Sequence, residues 1–381
     1  MKDERTQGMA LVLSGGGARG AYQAGAIKAL VKILHKKGIK YPFPIVSGAS
    51  AGAINAAFMA AWADDLLDAA PRLAEFWTSI HSEQVFRTDL TSLGRIGMRW
   101  VRGLMFSGIK RQRSLYSLLD TKPLRHLLDN EIPFWRISDN IKEGFIDAVE
   151  ITATDYGTSE CISFIQTNDP KLNWVRARRR SVATRLGLEH VMASTAIPIF
   201  FPPLQIGRRP YGDGCLRNTA PLSAALQLGA TKLLIVGVRM VQSAEAELPD
   251  TTIVKPTIAR VLSVLLNAIF MDALEFDLER TKRINATLDY IPKKAYKEID
   301  LRKIEMLILQ PTEDLGLIAG RMFDALPSSI KYLFRGLGSS SEASELVSYL
   351  LFEPSYCGYL VELGYNDTLA RKDEVLEFFK L

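Results

Sequence analysis

The residues best suited to chemistry sit in Ile45-Val46-Ser47-Gly48-Ala49-Ser50-Ala51-Gly52, a short β-branched run that ends in Gly-x-Ser-x-Gly and leads into the alanine-rich, helix-forming stretch 53–63. A serine hydroxyl is a poor nucleophile in water, so an enzyme that uses one presents it on a sharp turn beside a helix N-terminus. Gly48 and Gly52 give such a strand-to-helix turn its room, the arrangement of a nucleophile elbow. A second glycine motif, Gly15-Gly16-Gly17-Ala18-Arg19-Gly20, lies between the apolar run 9–13 and a helix-forming stretch 21–36. Its spacing also fits a dinucleotide-binding loop, which needs an acidic residue about 20 positions further on to hold a ribose. No Asp or Glu occurs between Glu4 and Asp64, which argues against that reading, and no Gly-Lys-Ser/Thr follows to make a P-loop. What remains is a nest of backbone N–H groups at a helix N-terminus, suited to an anion. Beside a serine elbow, the natural anion is the oxyanion of acyl transfer.

A serine nucleophile needs a base. In the α/β-hydrolase order a histidine follows far downstream, but the four histidines are His35, His81, His126 and His190, and the last 191 residues hold none. His190, before Val191-Met192-Ala193-Ser194, reads as a structural residue. The better candidate is Asp213 in Tyr211-Gly212-Asp213-Gly214-Cys215, a glycine-flanked carboxylate on a turn, although the same residues also read as a plain Asp-Gly turn between strands.

These residues have to be positioned by an alternation of strands and helices. Residues 9–13, 146–152, 161–167, 232–238 and 305–310 read as strands, 45–63 reads as a second strand-turn-helix unit, and Ile27, Leu30, Val31 and Leu34 give 21–36 a helical apolar face. Such alternation predicts an α/β fold with a mostly parallel central sheet and helices on both faces. Residues 257–283 read as one long helix with Ile258, Val261, Leu262, Leu265 and Ile269 along one side, a stripe expected in the core or along an acyl pocket. Residues 336–344 form the one Gly/Ser-rich stretch, a loop before the C-terminal helices.

With 381 residues, 48% of them hydrophobic and 23% charged, the chain is long enough for one large α/β domain or two. Cys161, Cys215 and Cys357 are far apart with no CxxC, as expected of a cytosolic protein without disulfides or a structural zinc. The charged N-terminus gives no sign of a secretory signal peptide. The uncharged stretch 41–63 contains two prolines and the elbow glycines, so it reads as the buried turn and its helix and not as a membrane span. Positive charge is concentrated: residues 87–125 carry nine Lys or Arg against Asp89 and Asp120, interleaved with Phe86, Trp100, Phe106 and other apolar residues. That mixture suits either a surface that meets anionic lipid or a solvated cap packed on the domain. No nucleic-acid module accompanies the charge, so no nucleic-acid partner is expected.

Three motifs in this order, G-G-G-A-R-G, G-A-S-A-G and D-G-C, resemble the patterns of the patatin-like phospholipase family. Ala193-Ser194-Thr195-Ala196-Ile197-Pro198 before the aspartate and Asn218 to Pro221 after it are similar to further family segments. The resemblance implies a three-layer α/β/α core in which Ser50 is the nucleophile and Asp213 its partner, a dyad without histidine. It also implies that Gly15, Gly16 and Gly17 supply oxyanion-hole N–H groups and that Arg19 supports the loop or the substrate. One position departs from the family: Cys215 stands where Gly or Ala is usual, and its side chain would fit poorly at positive φ. An aspartate with an ordinary pKa near 3.9 is a weak base at neutral pH, so the mechanism requires Asp213 to be desolvated or very close to the serine.

The expectation is a serine lipid acyl hydrolase of the phospholipase A type, with no metal or organic cofactor, acting on phospholipid as a cytoplasmic, peripheral membrane protein. Its catalytic domain is expected over 9–238, with a basic cap at about 86–140, followed by an extension over 239–381 packed on the core. A neutral lipid lipase, thioesterase or acyltransferase would use the same dyad. A protein of another class, a lipid-binding or defence effector silent without a ligand, also fits. The oligomeric state is not readable.

Overall fold

The computed structural model describes residues 4–88, 117–169, 172–240, 255–296, 301–336 and 343–381. Five parallel strands form the centre of its sheet in the order β10 (Glu305–Leu309), β9 (Lys232–Val236), β1 (Met9–Leu13), β2 (Ile45–Ala49) and β3 (Ala148–Asp155). All five residues of β1 and of β2 are buried, so these strands read as continuous apolar or small-residue runs and not as alternating ones. Their side chains divide between two cores. Leu11 and Leu13 join Val46 and the helices α1 (Gly20–His35), α2 (Ala51–Ala61) and α3 (Leu66–Thr78) on one face, while Ala10, Val12 and Ile45 join Leu222, Leu233, Ile235 and Leu278 on the other. This period-two division makes the three layers.

Beyond β3 the sheet departs from the parallel expectation. β4 (Glu160–Thr167) runs antiparallel to β3, and β6 (Arg179–Ala183) with β5 (Val175–Arg176) finishes that edge. β7 (Leu204–Ile206) and β8 (Arg209–Asp213) form an antiparallel pair joined to the end of β3. None of these four short strands is legible in the sequence, because Arg179, Arg180 and Arg209 interrupt any apolar alternation and two of the strands have only two or three residues.

The most consequential feature of the sheet is that two strands share one edge of β3. β2 pairs with its first half, ending at Ala49 opposite Thr152, and β8 pairs with the second half, with Asp213 opposite Ala153. β4 covers the whole of the other edge.

The single helix expected over 257–283 is two helices, Ile258–Asn267 and Ala273–Leu288, joined by a π turn at Ala268–Asp272. The apolar stripe is corrected as well: Ile258, Val261 and Leu265 face solvent, while Leu262 and Ile269 are half-buried against the core. Much of the basic segment 87–125 lies outside the described residues, as does most of the loop 336–344. Helix Lys122–Glu131, which carries the end of the basic segment, and helix Trp135–Glu143 bury Leu124, Leu128, Ile137 and Ile141 in the core. Helix Pro354–Ala370 packs along α1. Among the described residues no helix is long and apolar enough to cross a membrane.

A buried polar network ties the helices to the loop after β1. Asn55 on α2 donates to the Gly20 carbonyl (3.1 Å) and to Gln23 (2.9 Å) and accepts from the Trp77 indole N–H (2.7 Å), while Gln23 donates to the Ser14 and Val236 carbonyls. Leaving a buried donor unsatisfied costs about 1–3 kcal/mol. Asn55→Ala strands the Trp77 N–H at least, so the midpoint of thermal or urea unfolding falls by the equivalent of about 1–3 kcal/mol. An unchanged midpoint would show that the network carries no stability.

Candidate active site

Ser50 is the residue at which the chain turns from β2 into α2, and it takes φ 54°, ψ −125°. A non-glycine residue in that region is strained by about 1–3 kcal/mol and is kept there only by its surroundings. The surroundings are tight. A Cβ on Gly48 would lie 2.2 Å from the Gly52 carbonyl oxygen, and one on Gly52 would lie 2.2 Å from that of Leu13, so both elbow glycines are required by close backbone approach. The Ser50 N–H donates to Ser194 Oγ (2.9 Å), whose hydroxyl in turn donates to the Thr152 carbonyl (2.6 Å). Ser194 thus pins the strained serine to β3. Sequence reasoning quoted this serine only within a motif and gave it no role.

Asp213 closes β8 and is fully buried. Its N–H donates to the Ala196 carbonyl (3.0 Å), and its own carbonyl accepts from Thr154 Oγ1 (2.7 Å). Oδ1 accepts the Cys215 N–H at 2.9 Å, while Oδ2 is buried without a hydrogen bond. The Ser50 hydroxyl lies near enough to favour the charged carboxylate, although it does not meet hydrogen-bond geometry at Oδ2. Burial dominates and pushes the Asp213 pKa up to about 7, against the opposing pull of the Ser50 hydroxyl and the Cys215 N–H and thiol. The desolvation that a Ser-Asp dyad requires is present here.

The glycine motif turns into α1 beside these two residues. Gly15 is wedged between them and the far layer: an added Cβ would meet Cys215 Sγ at 2.3 Å, Ser50 Cβ at 3.1 Å and Phe270 Cδ1 at 3.2 Å. Gly17 has φ 57° and lies against the Tyr349 carbonyl. Among the described residues, no acceptor engages the N–H of Gly16 or Gly17, whereas the Gly15 N–H faces the Cys215 sulfur. Arg19 turns away from the serine. It is buried, donates from Nε to Ser348 Oγ (2.8 Å), pairs with Glu345 and stacks on the Tyr349 ring at 4.6 Å. Its guanidinium therefore clamps the glycine loop to helix Ser344–Leu350.

Cys215 lies in a short 3-10 turn and is not at positive φ, so the larger side chain is accommodated without the expected backbone conflict. Burial first, and the neighbouring Asp213 carboxylate second, raise the thiol's pKa well above its usual value, so the sulfur is a packed, protonated neighbour of the site. His190 is half-buried against Phe164, with ring centroids 4.7 Å apart. Its Nδ1 accepts the Gly187 N–H, and burial lowers its pKa, as befits a structural residue. No group of three or more His, Cys, Asp or Glu side chains gathers among the described residues as metal ligands would.

Ser50 is 1% exposed. A cavity of about 20 Å³ lined by Ser50, Trp77, Ile197, Phe201 and Phe352 lies on one side, and another of about 20 Å³ lined by Gly15, Cys215, Asn218 and Phe270 on the other. Each has room for about one water molecule. An acyl chain cannot enter either without movement. A more spacious cavity, about 610 Å³, is at the other end of the strands beside Gly8, Pro44 and Asp147. Ser50 and Asp213 instead stand where the parallel strands β1 and β2 end, the usual place for ligands in open α/β sheets.

A doubly covered α/β sheet, a strained serine at the end of a central parallel strand, a glycine turn beside it and a buried carboxylate define an α/β acyl-hydrolase type of architecture. The chain matches the family model for patatin-like phospholipases over residues 11–226, more than half its length, and it belongs to that family of lipid acyl hydrolases. No curated protein matches it in sequence. Among solved structures it is similar to VipD from Legionella pneumophila, with 14% identity and a TM-score of 0.36 over 96% of this chain and 67% of that one. It is also similar to the type III effector protein ExoU, with 16% identity and a TM-score of 0.34 over 92% of this chain, which spans about half (53%) of the ExoU chain.

Ser194→Ala leaves the buried Ser50 N–H without its acceptor, a loss of about 1–3 kcal/mol. The variant therefore unfolds at a lower temperature than wild type, by differential scanning calorimetry. An unaltered transition would mean that the elbow holds its strain without Ser194.

Proposed function

We propose that this protein is a phospholipase A-type serine hydrolase that cleaves fatty-acyl esters of membrane phospholipids through Ser50 and Asp213. The observation that carries the reading is the buried, unpartnered Asp213 Oδ2 beside the strained Ser50, in a carboxyl group whose pKa stands at about 7. Ser50 Oγ attacks the ester carbonyl while its proton passes to Asp213. The tetrahedral oxyanion is held by main-chain N–H groups of Gly16 and Gly17, with Gly15 shaping the wall beside them. Collapse expels the lysophospholipid alkoxide, which takes the proton from Asp213. Water then attacks the acyl-serine while Asp213 accepts its proton, the acyl–Oγ bond breaks, Asp213 returns that proton to Ser50 Oγ, and free fatty acid leaves. The catalytic unit over 9–238 is completed by the extension 239–381, since Glu345 and Ser348 hold Arg19. The protein works as a peripheral membrane protein, and no step calls for a metal or organic cofactor.

Fatty-acid release from mixed phospholipid vesicles tests the reading. Wild type releases fatty acid, and Ser50→Ala and Asp213→Asn, each shown to be folded, fall by about 10⁴-fold or more. Equal release by all three would sink the mechanism.

The raised pKa makes a further prediction in two parts. Asp213 must be ionised to accept a proton, so kcat/KM rises with pH through about 7 and levels off above it. The same shift opposes folding as pH rises, because the native state holds a proton that the unfolded chain releases near its ordinary pKa. Stability is therefore lost between about 4 and 7. Asp213→Asn, which carries no proton to lose, melts above wild type at pH 8, and the gap narrows as pH falls towards 4. A gap independent of pH would show that Asp213 does not titrate as described.

A further inference from the structure

Helix Ile258–Asn267 presents to solvent what a core helix would hide. Ile258, Val261, Val264 and Leu265 are 62%, 47%, 55% and 51% exposed, while Ala259, Ser263 and Leu266 form its buried back. Single exposed apolar residues are ordinary, but four of them on one face of a ten-residue helix form a continuous ridge. The charge along the helix is one-sided. Between Lys255 and Met271 there is no Asp or Glu, and Lys255 and Arg260 are both exposed. An apolar ridge flanked by cations fits the boundary between acyl chains and anionic head groups. It fits a second protein copy poorly, since a helix of this length is about 15 Å long and falls well short of the roughly 800 Å² per partner of a standard interface.

The ridge is also joined to the serine site. At its C-terminal end the chain makes the π turn Ala268–Asp272, a rare geometry that recurs at functional positions. Phe270, in the middle of that turn, is buried against Gly15 and packs on the Tyr349 ring with centroids 5.2 Å apart. The Tyr349 hydroxyl donates to Oδ1 of Asn267 (2.7 Å), the last residue of the exposed helix, and the Tyr349 backbone carbonyl lies against Gly17. The same ring carries the Arg19 guanidinium. A movement of the helix therefore acts at once on the side chain that covers Gly15 and on the tyrosine that braces the glycine loop.

We propose that the exposed face of helix Ile258–Asn267 docks on anionic phospholipid bilayers, and that docking draws the π turn outward and moves Phe270 off the serine site. The opening half rests on the hydrolase reading above; the docking half does not. Both are tested in a Ser50→Ala background, so no lipid is consumed and activity is not the readout. In flotation with vesicles of phosphatidylcholine containing a minor fraction of phosphatidylglycerol, adding Val261→Asp and Leu265→Asp lowers the partition coefficient at least tenfold. These side chains are exposed, so the fold is preserved, as a matched melting curve verifies. On the same vesicles, amide hydrogen exchange over residues 15–17 and 268–272 speeds up at least threefold in Ser50→Ala and does not change in the triple variant. Equal flotation of the two proteins, or exchange unaltered by vesicles, would overturn the proposal. So would a dimer in lipid-free solution that Val261→Asp and Leu265→Asp split, which would give the face to a second copy. Fatty-acid release by the Ser50-intact protein is scored separately, so failure of the hydrolase reading is distinguishable from failure of docking.

Discussion

The site depends on the sharing of one edge of β3. Parallel strands that end together leave their last residues at the sheet's margin, and here β2 leaves β3 after Ala49 so that Ser50 can turn into α2. β8 enters at the next position in the opposite direction and delivers Asp213 opposite Ala153. Serine and carboxylate come from well-separated parts of the chain, yet they are delivered at consecutive registers on a single strand. β3 also supplies the anchors: the Thr152 carbonyl holds Ser194, which holds Ser50, and the Thr154 hydroxyl holds the Asp213 backbone. Positioning of this kind is rigid because the anchors are main-chain ladder and buried hydroxyls, not flexible surface side chains.

A second constraint is electrostatic. Removing a carboxylate from water is unfavourable unless its oxygens are satisfied, and Asp213 has only Oδ1 firmly bonded, by the Cys215 N–H. Burial lifts the proton affinity of Asp213 towards neutral pH, and the few hydrogen bonds near it only partly oppose the shift. Glu150, earlier on β3, makes the contrast. It is equally buried, but Ser47 and Thr152 both donate to it at 2.6 Å, so its oxygens are occupied and it serves the sheet. Burial raises the pKa of Glu150 as well, and of these two acids only Asp213 keeps an oxygen without a hydrogen bond among the described residues.

The elbow, the glycine loop and the aspartate were legible in the sequence because each is a backbone requirement that few residue types meet. Gly48, Gly52 and Gly15 stand where an added Cβ would strike main chain or the neighbouring site, and such positions show themselves as glycine whatever surrounds them. The parallel strands were legible because burial on both faces makes them apolar runs. β5 to β8 were not, since they are short, edge-like and rich in arginine, and it is their pairing that places Asp213. The sequence could offer Asp213 as a residue but not the register that brings it to Ser50. Arg19 shows the same limit: its motif announces a functional arginine, while its partners Glu345 and Ser348 lie near the opposite end of the chain.

At helix Ile258–Asn267 pattern reading misplaced most of the apolar stripe, and the error is informative. Apolar residues at helical spacing report only that a helix has an apolar face; they do not report what the face meets. In most helices the answer is the protein's own core, and the same periodicity is produced when it is something outside the chain. Here the core-facing side is the one with Ala259, Ser263 and Leu266, and the richer face is turned outward. A protein that places its larger hydrophobic face in water while sealing its serine at 1% exposure holds two unfavourable arrangements together. Both are relieved by one event, contact with an apolar surface that covers the ridge and draws the π turn away from Gly15. Their connection through Asn267, Tyr349 and Phe270 makes them two ends of a single element.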